Sequence, residues 1–171
     1  IRMVKEAGVD MIKLDGAAEA PEVVEALVKA GIPVWAQFGV TPQTALAYGM
    51  EYKSMNTADA VVPDEMVDTL IRQAKMLEDA GASLLDFTNS GPIVGPAVVE
   101  AVTIPVIGGF GGGPWLDGRV RMAHAAIGYS AAAVDSDAEN YANVGKIAFD
   151  ALGECAADIR AGKLIKGATK R

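Results

Sequence analysis

The stretch Ala30-Gly31-Ile32-Pro33-Val34-Trp35-Ala36-Gln37 decides the fold, because it joins the end of a helix to a buried strand. Glycine adopts the left-handed backbone conformation that closes a helix more readily than any other residue. The residues that follow it are almost all apolar, which is typical of a strand covered on both faces in a parallel sheet. We therefore predict a helix that ends near Gly31 and a parallel strand directly after it.

The same pattern recurs along the chain and predicts an α/β fold. Ala7-Gly8 precedes an apolar run over residues 9–14, and Ala80-Gly81 precedes another over residues 83–88. A third such run covers residues 104–108, and the alternating segment 119–124, which ends in His124, predicts a fifth strand. Between the runs, prolines at helix starts and apolar residues at helical spacing predict helices over residues 21–29, 63–79, 96–101 and 139–161.

Strands that alternate with helices build either an open doubly wound sheet or a closed (β/α)8 barrel. The chain has 171 residues, whereas a closed eight-stranded barrel needs at least about 200. Residues 2–7 already read as the end of a helix. We expect a single domain over residues 1–171 that is the C-terminal portion of a TIM barrel, apparently N-terminally truncated, with about five of the eight βα units present. A complete five-stranded open sheet is the alternative.

Composition excludes several classes of function. Hydrophobic residues make up 51% of the chain and charged residues 22%, so the chain is not disordered. A net charge of −7 argues against binding duplex nucleic acid or an anionic membrane surface. A single cysteine, Cys155, which we expect to be buried in a helix, cannot form an internal disulfide. No run is long and apolar enough to cross a bilayer, and the start is not a signal peptide, so we expect a cytoplasmic protein.

Polar side chains occur where the first predicted strand ends. Lys13 and Asp15 share one face of that strand because side chains alternate along it. In parallel α/β folds the site lies at the C-terminal ends of the strands. A carboxylate there suits Mg²⁺, and an ammonium suits the carboxylate of a substrate. The alternative is that Lys13 and Asp15 form an ion pair with a purely structural role at the rim of the sheet.

Two further segments have structural and functional interpretations. The glycine-rich run over residues 108–113 permits close approach of backbone N–H groups to an anion, although a sharp loop is the plainer interpretation. Thr41-Pro42-Gln43-Thr44 predicts a helix start, with Thr41 as the cap and Pro42 in the first turn.

Several segments, taken in order, resemble the ketopantoate hydroxymethyltransferase family. The similarity covers nearly the whole chain. It is carried by Met11-Ile12-Lys13-Leu14-Asp15-Gly16, Gly39-Val40-Thr41-Pro42-Gln43, Tyr52-Lys53, Leu77-Glu78-Asp79-Ala80-Gly81-Ala82, Ile104-Pro105-Val106-Ile107-Gly108, Asp117-Gly118, His124 and Ala157-Asp158-Ile159-Arg160-Ala161-Gly162.

The resemblance implies a (β/α)8 barrel and a homo-oligomeric transferase of pantothenate biosynthesis. It implies Mg²⁺-dependent hydroxymethyl transfer from 5,10-methylenetetrahydrofolate to a small-molecule 2-oxo acid, 3-methyl-2-oxobutanoate, which yields ketopantoate. In that chemistry the metal stabilises the enolate formed when the C3 proton leaves. The family's two metal-binding aspartates would lie ahead of Ile1.

The resemblance also assigns roles to individual residues. Asp15 falls where the family has a metal-associated glutamate, and Lys13 falls on the substrate-contacting lysine. Gln37 stands in place of a histidine, and Thr88 stands in place of the glutamate proposed as the base. Because a threonine hydroxyl is not a base near neutral pH without an activating group, Asp86, two residues earlier on the same face, is a candidate replacement.

These departures leave three alternatives open. The chain belongs either to an active hydroxymethyltransferase or close relative, or to a non-catalytic homologue that keeps the fold. The third alternative is another Mg²⁺-dependent barrel enzyme that acts on 2-oxo acids, of the phosphoenolpyruvate mutase and isocitrate lyase group.

Overall fold

A computed structural model of the protein describes residues 1–41, 43–51, 62–109, 113–135 and 140–167. The chain divides into two compact units, Ile1–Val120 and Arg121–Arg171. Among the described residues, no helix has the length and apolar character that a bilayer crossing requires. The prediction of a single domain over residues 1–171 stays a prediction.

The first unit is built on a five-stranded parallel sheet with the strands in sequence order. Its strands are β1 (Ile12–Leu14), β2 (Val34–Gly39), β3 (Leu84–Thr88), β4 (Val106–Gly108) and β5 (Gly118–Arg119). Its helices are α1 (Arg2–Ala7), α2 (Pro21–Lys29), α3 (Val67–Asp79) and α4 (Val94–Ala101). The predicted α/β fold with parallel strands is confirmed, whereas barrel closure and truncation stay predictions.

The glycines that follow the helices act as the sequence predicts. Gly8, Gly31 and Gly81 have positive φ angles of 69°, 75° and 92°, and each leads the chain out of a helix towards the next strand. Short 3₁₀ turns complete the connections, at Ala17–Glu19, Ala45–Tyr48 and Asp64–Met66. The Thr41 hydroxyl accepts a hydrogen bond from the Thr44 amide at 3.3 Å, so Thr41 caps the turn that follows β2. Pro42 lies outside the described residues.

The hydrophobic core lies on one face of the sheet. Helices α2 and α3 contact β2, and α4 packs against α3. The two aromatic rings of Phe38 and Phe87 stack in this core with centroids 4.6 Å apart. The strand residues that face the helices are all buried: Val34, Ala36, Phe38, Leu85, Phe87 and Val106.

The predicted fifth strand over residues 119–124 is wrong in most of its length. Strand β5 pairs with β4 only through Gly118 and Arg119, and residues Ala123–Ala126 form helix α5 of the second unit. Three of those four residues are alanines, which favour a helix, and Gly128 at φ 62° ends the turn. His124 is therefore an exposed helical residue rather than a strand end.

The second unit contains α5, a 3₁₀ turn at Ala131–Ala133 and the long helix α6 (Val144–Arg160). The helix begins after the predicted start because the Asn143 side chain caps it, accepting a hydrogen bond from the Lys146 amide at 2.9 Å. Residues 136–139 lie outside the described residues. No residue of α6 is buried within the described structure, and the expectation of a buried Cys155 is wrong, since this side chain is exposed.

A carboxylate joins the end of α3 to the start of β4. Glu78 Oε1 accepts hydrogen bonds from the Thr103 amide at 2.7 Å, the Thr103 hydroxyl at 2.6 Å and the Ile104 amide at 3.2 Å. These hydrogen bonds, the one from the Thr103 hydroxyl first, hold the pKa of Glu78 below its usual value. The charged form is therefore the form that this connection stabilises.

We expect Glu78→Gln to lower the free energy of unfolding at pH 7 by about 0.5 kcal/mol, because the hydrogen bonds to Thr103 and Ile104 lose their charged acceptor. The loss is small because solvent screens this exposed group. The folded pKa lies below the unfolded value, so the contribution is complete above the unfolded pKa, about 4.3. It disappears as the pH falls through the folded pKa. Urea unfolding at a series of pH values from 7 downwards measures this, with the neighbouring Asp79→Asn as control; a difference from wild type that does not shrink as the pH falls would contradict the assignment.

Candidate active site

The second face of the sheet is polar near the carboxyl ends of β1, β2 and β3. Gln37 is in register with Asp86, and Gly39 with Thr88. Because side chains alternate along each strand, Gln37, Asp86 and Thr88 point away from the face that packs on the helices. Lys13 pairs in register with Trp35, whose ring lies 5.5 Å from the Lys13 ammonium. The sheet therefore places four polar side chains from three strands on the same face, one each from β1 and β2 and two from β3.

Lys13 is the centre of this group. Its Nζ contacts Oδ1 of Asp15 and lies 3.2 Å from Oδ2 of Asp86. The Gln37 amide donates to the same Asp86 oxygen at 3.4 Å. We call these four residues, Lys13, Asp15, Gln37 and Asp86, the lysine cluster. The expectation that Lys13 and Asp15 share one face is matched by their contact, and the structure adds Asp86 from two strands away.

Depth distinguishes the two carboxylates of the lysine cluster. The Asp15 side chain is 53% exposed, whereas that of Asp86 is 7% exposed, and Lys13 lies between them at 33%. Burial raises the pKa of Asp86 above its usual value, and the neighbouring Lys13 ammonium opposes that rise. The cluster thus presents Lys13 and Asp15 to solvent and keeps Asp86 beneath them.

Thr88 ends strand β3 in a buried position beside Gly39. A Cβ at Gly39 would lie 2.8 Å from the Thr88 carbonyl oxygen, and the φ of 94° also requires glycine there. Within the described part of the chain, the structure places no carboxylate or imidazole in hydrogen-bond contact with the Thr88 hydroxyl. A threonine hydroxyl accepts a proton near neutral pH only when another group activates it.

The turn after β3 carries polar residues to which the sequence pattern assigned no role. Asn89 has a left-handed φ of 59°, and its side-chain amide donates to the Val40 carbonyl at 3.0 Å. The Trp115 indole donates to the Ser90 hydroxyl at 2.9 Å. The available signal was the Thr-Asn-Ser-Gly run directly after an apolar strand, since asparagine tolerates left-handed turns. These bonds hold together the loops beside the candidate site.

Part of the predicted glycine-rich anion cradle lies outside the described residues, namely 110–112. Gly113, at its end, is buried under the Trp115 ring, where a Cβ would lie 2.1 Å from the nearest ring carbon. Packing against Trp115 therefore explains why residue 113 is a glycine. Anion binding by the backbone of residues 108–113 stays a prediction.

Together, the parallel sheet and the lysine cluster at its carboxyl edge define an α/β protein with a polar site at the ends of its strands. Comparison with known proteins identifies the family. The family model described as ketopantoate hydroxymethyltransferase matches residues 1–164. The chain therefore belongs to the ketopantoate hydroxymethyltransferase family.

Curated relatives agree with this assignment. The 3-methyl-2-oxobutanoate hydroxymethyltransferase of Salinibacter ruber is 35% identical over 160 residues, which are 94% of this chain and 58% of the relative. The protein of the same name from Geobacillus kaustophilus is 35% identical over 93% of this chain and 54% of the relative. That from Pyrobaculum aerophilum is 37% identical over 92% of this chain and 57% of the relative. The chain thus spans little more than half the length of these relatives.

Proposed function

We propose that the protein transfers a hydroxymethyl group from 5,10-methylenetetrahydrofolate to a 2-oxo acid, 3-methyl-2-oxobutanoate or a close analogue, in pantothenate biosynthesis. The observation that carries the proposal is the lysine cluster, which places an ammonium and a carboxylate side by side at the edge of a sheet whose chain belongs to this family. A cytoplasmic homo-oligomer built on a closed (β/α)8 barrel is part of the same proposal.

The residues of the cluster fit a hard cation and an anionic substrate. Two carboxylates, Asp15 and Asp86, converge on one positive charge, and Mg²⁺ is typically held by one or two carboxylates with water and substrate oxygens. Asp15, the exposed carboxylate, would hold Mg²⁺. When bound, the ion would supply Lewis-acid stabilisation of negative charge on a substrate oxygen. The described residues contain no group of three possible metal ligands.

Lys13 would bind the carboxylate of the 2-oxo acid, and Gln37 would contact the substrate beside it. Breaking the C3–H bond sends the proton to a base and leaves the electron pair in an enolate. The methylene carbon of the folate then loses its two C–N bonds and gains one bond to C3 and one to the oxygen of a water molecule, so that it becomes the hydroxymethyl carbon. The proton from C3 and one proton from water end on the two nitrogens of the tetrahydrofolate that leaves. Position 88 is where the family has its proposed base, and Asp86 is the carboxylate two residues earlier on β3.

A non-catalytic homologue is the second candidate, and Thr88 is the observation that favours it. The hydroxyl has no activating neighbour among the described residues, and a neutral alcohol is a poor proton acceptor near pH 7. Such a protein would keep the fold and its binding surface without proton abstraction.

Exchange of the C3 proton separates the two candidates. We expect the protein with Mg²⁺ to catalyse deuterium uptake at C3 of 3-methyl-2-oxobutanoate, followed by NMR, and a chelator to abolish it. Asp15→Asn should weaken Mn²⁺ binding, measured by electron paramagnetic resonance, by about tenfold, because a charged ligand is lost. Glu19→Gln, on the turn after β1, is the matched control. Exchange no faster than with Mg²⁺ alone would replace the first candidate by the second.

A further inference from the structure

Asp86 is fixed more firmly than any other charged group of the lysine cluster. It lies on β3, which pairs with β2 on one side and β4 on the other, so its backbone is held from both sides. Asp15 follows the end of β1 and precedes Gly16, which turns the chain at φ 66°. The buried carboxylate is thus part of the rigid sheet, and the exposed one is part of a turn.

The Lys13 ammonium is shared between these two carboxylates. A divalent cation held by Asp15 would weaken the contact of Lys13 with Asp15, since the cation and the ammonium repel each other when they share one carboxylate. The contact with Asp86, 3.2 Å from Nζ to Oδ2, shares no carboxylate with that cation. Lysine has a flexible four-carbon stem, and a fixed counter-charge restricts where its ammonium rests.

We propose that Asp86 is a positioning residue, which holds the Lys13 ammonium at the edge of the sheet for the carboxylate of the 2-oxo acid. The inference rests on the proposed function, because it presumes that Lys13 binds that carboxylate. Asp86 acts through Lys13: at 7% exposure it lies below the ammonium, and Lys13 and Asp15 are the groups that solvent reaches. Gln37 supports the arrangement by donating to the same Asp86 oxygen.

The test compares Asp86→Asn with Asp10→Asn, which makes the same chemical change at an exposed position before β1. We expect Asp86→Asn to raise the KM for 3-methyl-2-oxobutanoate about tenfold and to change kcat less than threefold. The preference for the acid over its primary amide, measured as a ratio of binding constants, should fall by a similar factor. A merely structural role would weaken acid and amide alike. Asp10→Asn should leave both quantities unchanged.

A second variant covers the case in which Asp86→Asn does not fold. In Asp15→Asn the buried carboxylate remains, so we expect the Lys13 side chain to stay ordered, as measured by NMR relaxation of ¹³C-labelled lysine. Disorder of Lys13 in that variant would overturn the proposal. A collapse of kcat in Asp86→Asn with an unchanged KM would also overturn it, and would make Asp86 the proton acceptor instead. Absence of 2-oxo acid binding by the unaltered protein would instead overturn the proposed function.

Discussion

A Lys13→Met variant is expected to lose about a hundredfold in kcat/KM for the 2-oxo acid, because a partly buried charge contact to the substrate is worth about 2–5 kcal/mol. Methionine keeps an unbranched side chain of similar length but lacks the ammonium, which lies 5.5 Å from the centre of the Trp35 ring. The loss should fall mainly on KM if Lys13 acts in binding. Steady-state kinetics, or calorimetric binding of the substrate, measures the effect.

The same substitution leaves Asp86 without its ammonium partner. Since Asp86 is buried, we expect an additional loss of about 2 kcal/mol in the free energy of unfolding, reduced from the value for a fully buried pair because Lys13 is partly exposed. The double variant Lys13→Met with Asp86→Asn should recover stability but not substrate affinity. Lys29→Met, on the exposed face of α2, is the matched control. Unchanged kinetics in Lys13→Met would end its assignment to the substrate.

A Phe87→Ala variant is expected to lower the free energy of unfolding by about 3–5 kcal/mol, because a fully buried aromatic side chain is removed and a cavity is left. Phe87 is 0% exposed and stacks on Phe38, so the ring is held by both the sheet and its aromatic neighbour. Loss on this scale is a large share of the stability of a typical domain. Guanidinium unfolding of Phe87→Ala and of the wild-type protein measures the loss.

Leu46→Ala provides the control, since this leucine is 79% exposed. We expect it to change the free energy of unfolding by less than about 0.5 kcal/mol. Phe87→Leu should fall between the two, because it removes less volume. A loss below about 1 kcal/mol for Phe87→Ala would mean that the core lies elsewhere.

Local patterns predicted much of the first unit. Helix α2 has the predicted bounds, and the glycines at 31 and 81 turn the chain as expected, because these features depend on near neighbours in sequence. Helices α3 and α4 were found with shifted starts: α3 follows a 3₁₀ turn at Asp64–Met66, and α4 begins at Val94. Helix starts depend on which backbone groups find partners, and that is set by packing.

Features that depend on contacts between distant parts of the chain could not be predicted from the sequence. The side chains over residues 119–124 largely alternate between apolar and polar, as in a strand. A strand also needs a neighbouring strand to pair with, and β4 pairs with this part of the chain only at Gly118 and Arg119. The extent of that pairing depends on the tertiary structure and cannot be read from the local sequence. The Lys13–Asp86 contact joins two residues from strands separated by β2, so no spacing in the sequence could show it. The sequence identified Asp86 only as a neighbour of Thr88. Its contacts with Lys13 and Gln37 result from the register of the paired strands, which the sequence does not show.

The alternation of the two sheet faces has a consequence for how such a protein diversifies. On β3, Leu85 and Phe87 support the helical layer, while Asp86 and Thr88 face the opposite way. Exchanges at the second pair therefore change the polar groups on the face of the candidate site, and exchanges at the first pair change the packing of the core. Because Asp86 and Thr88 are themselves buried, an exchange at either position must also leave the new side chain with hydrogen-bond partners.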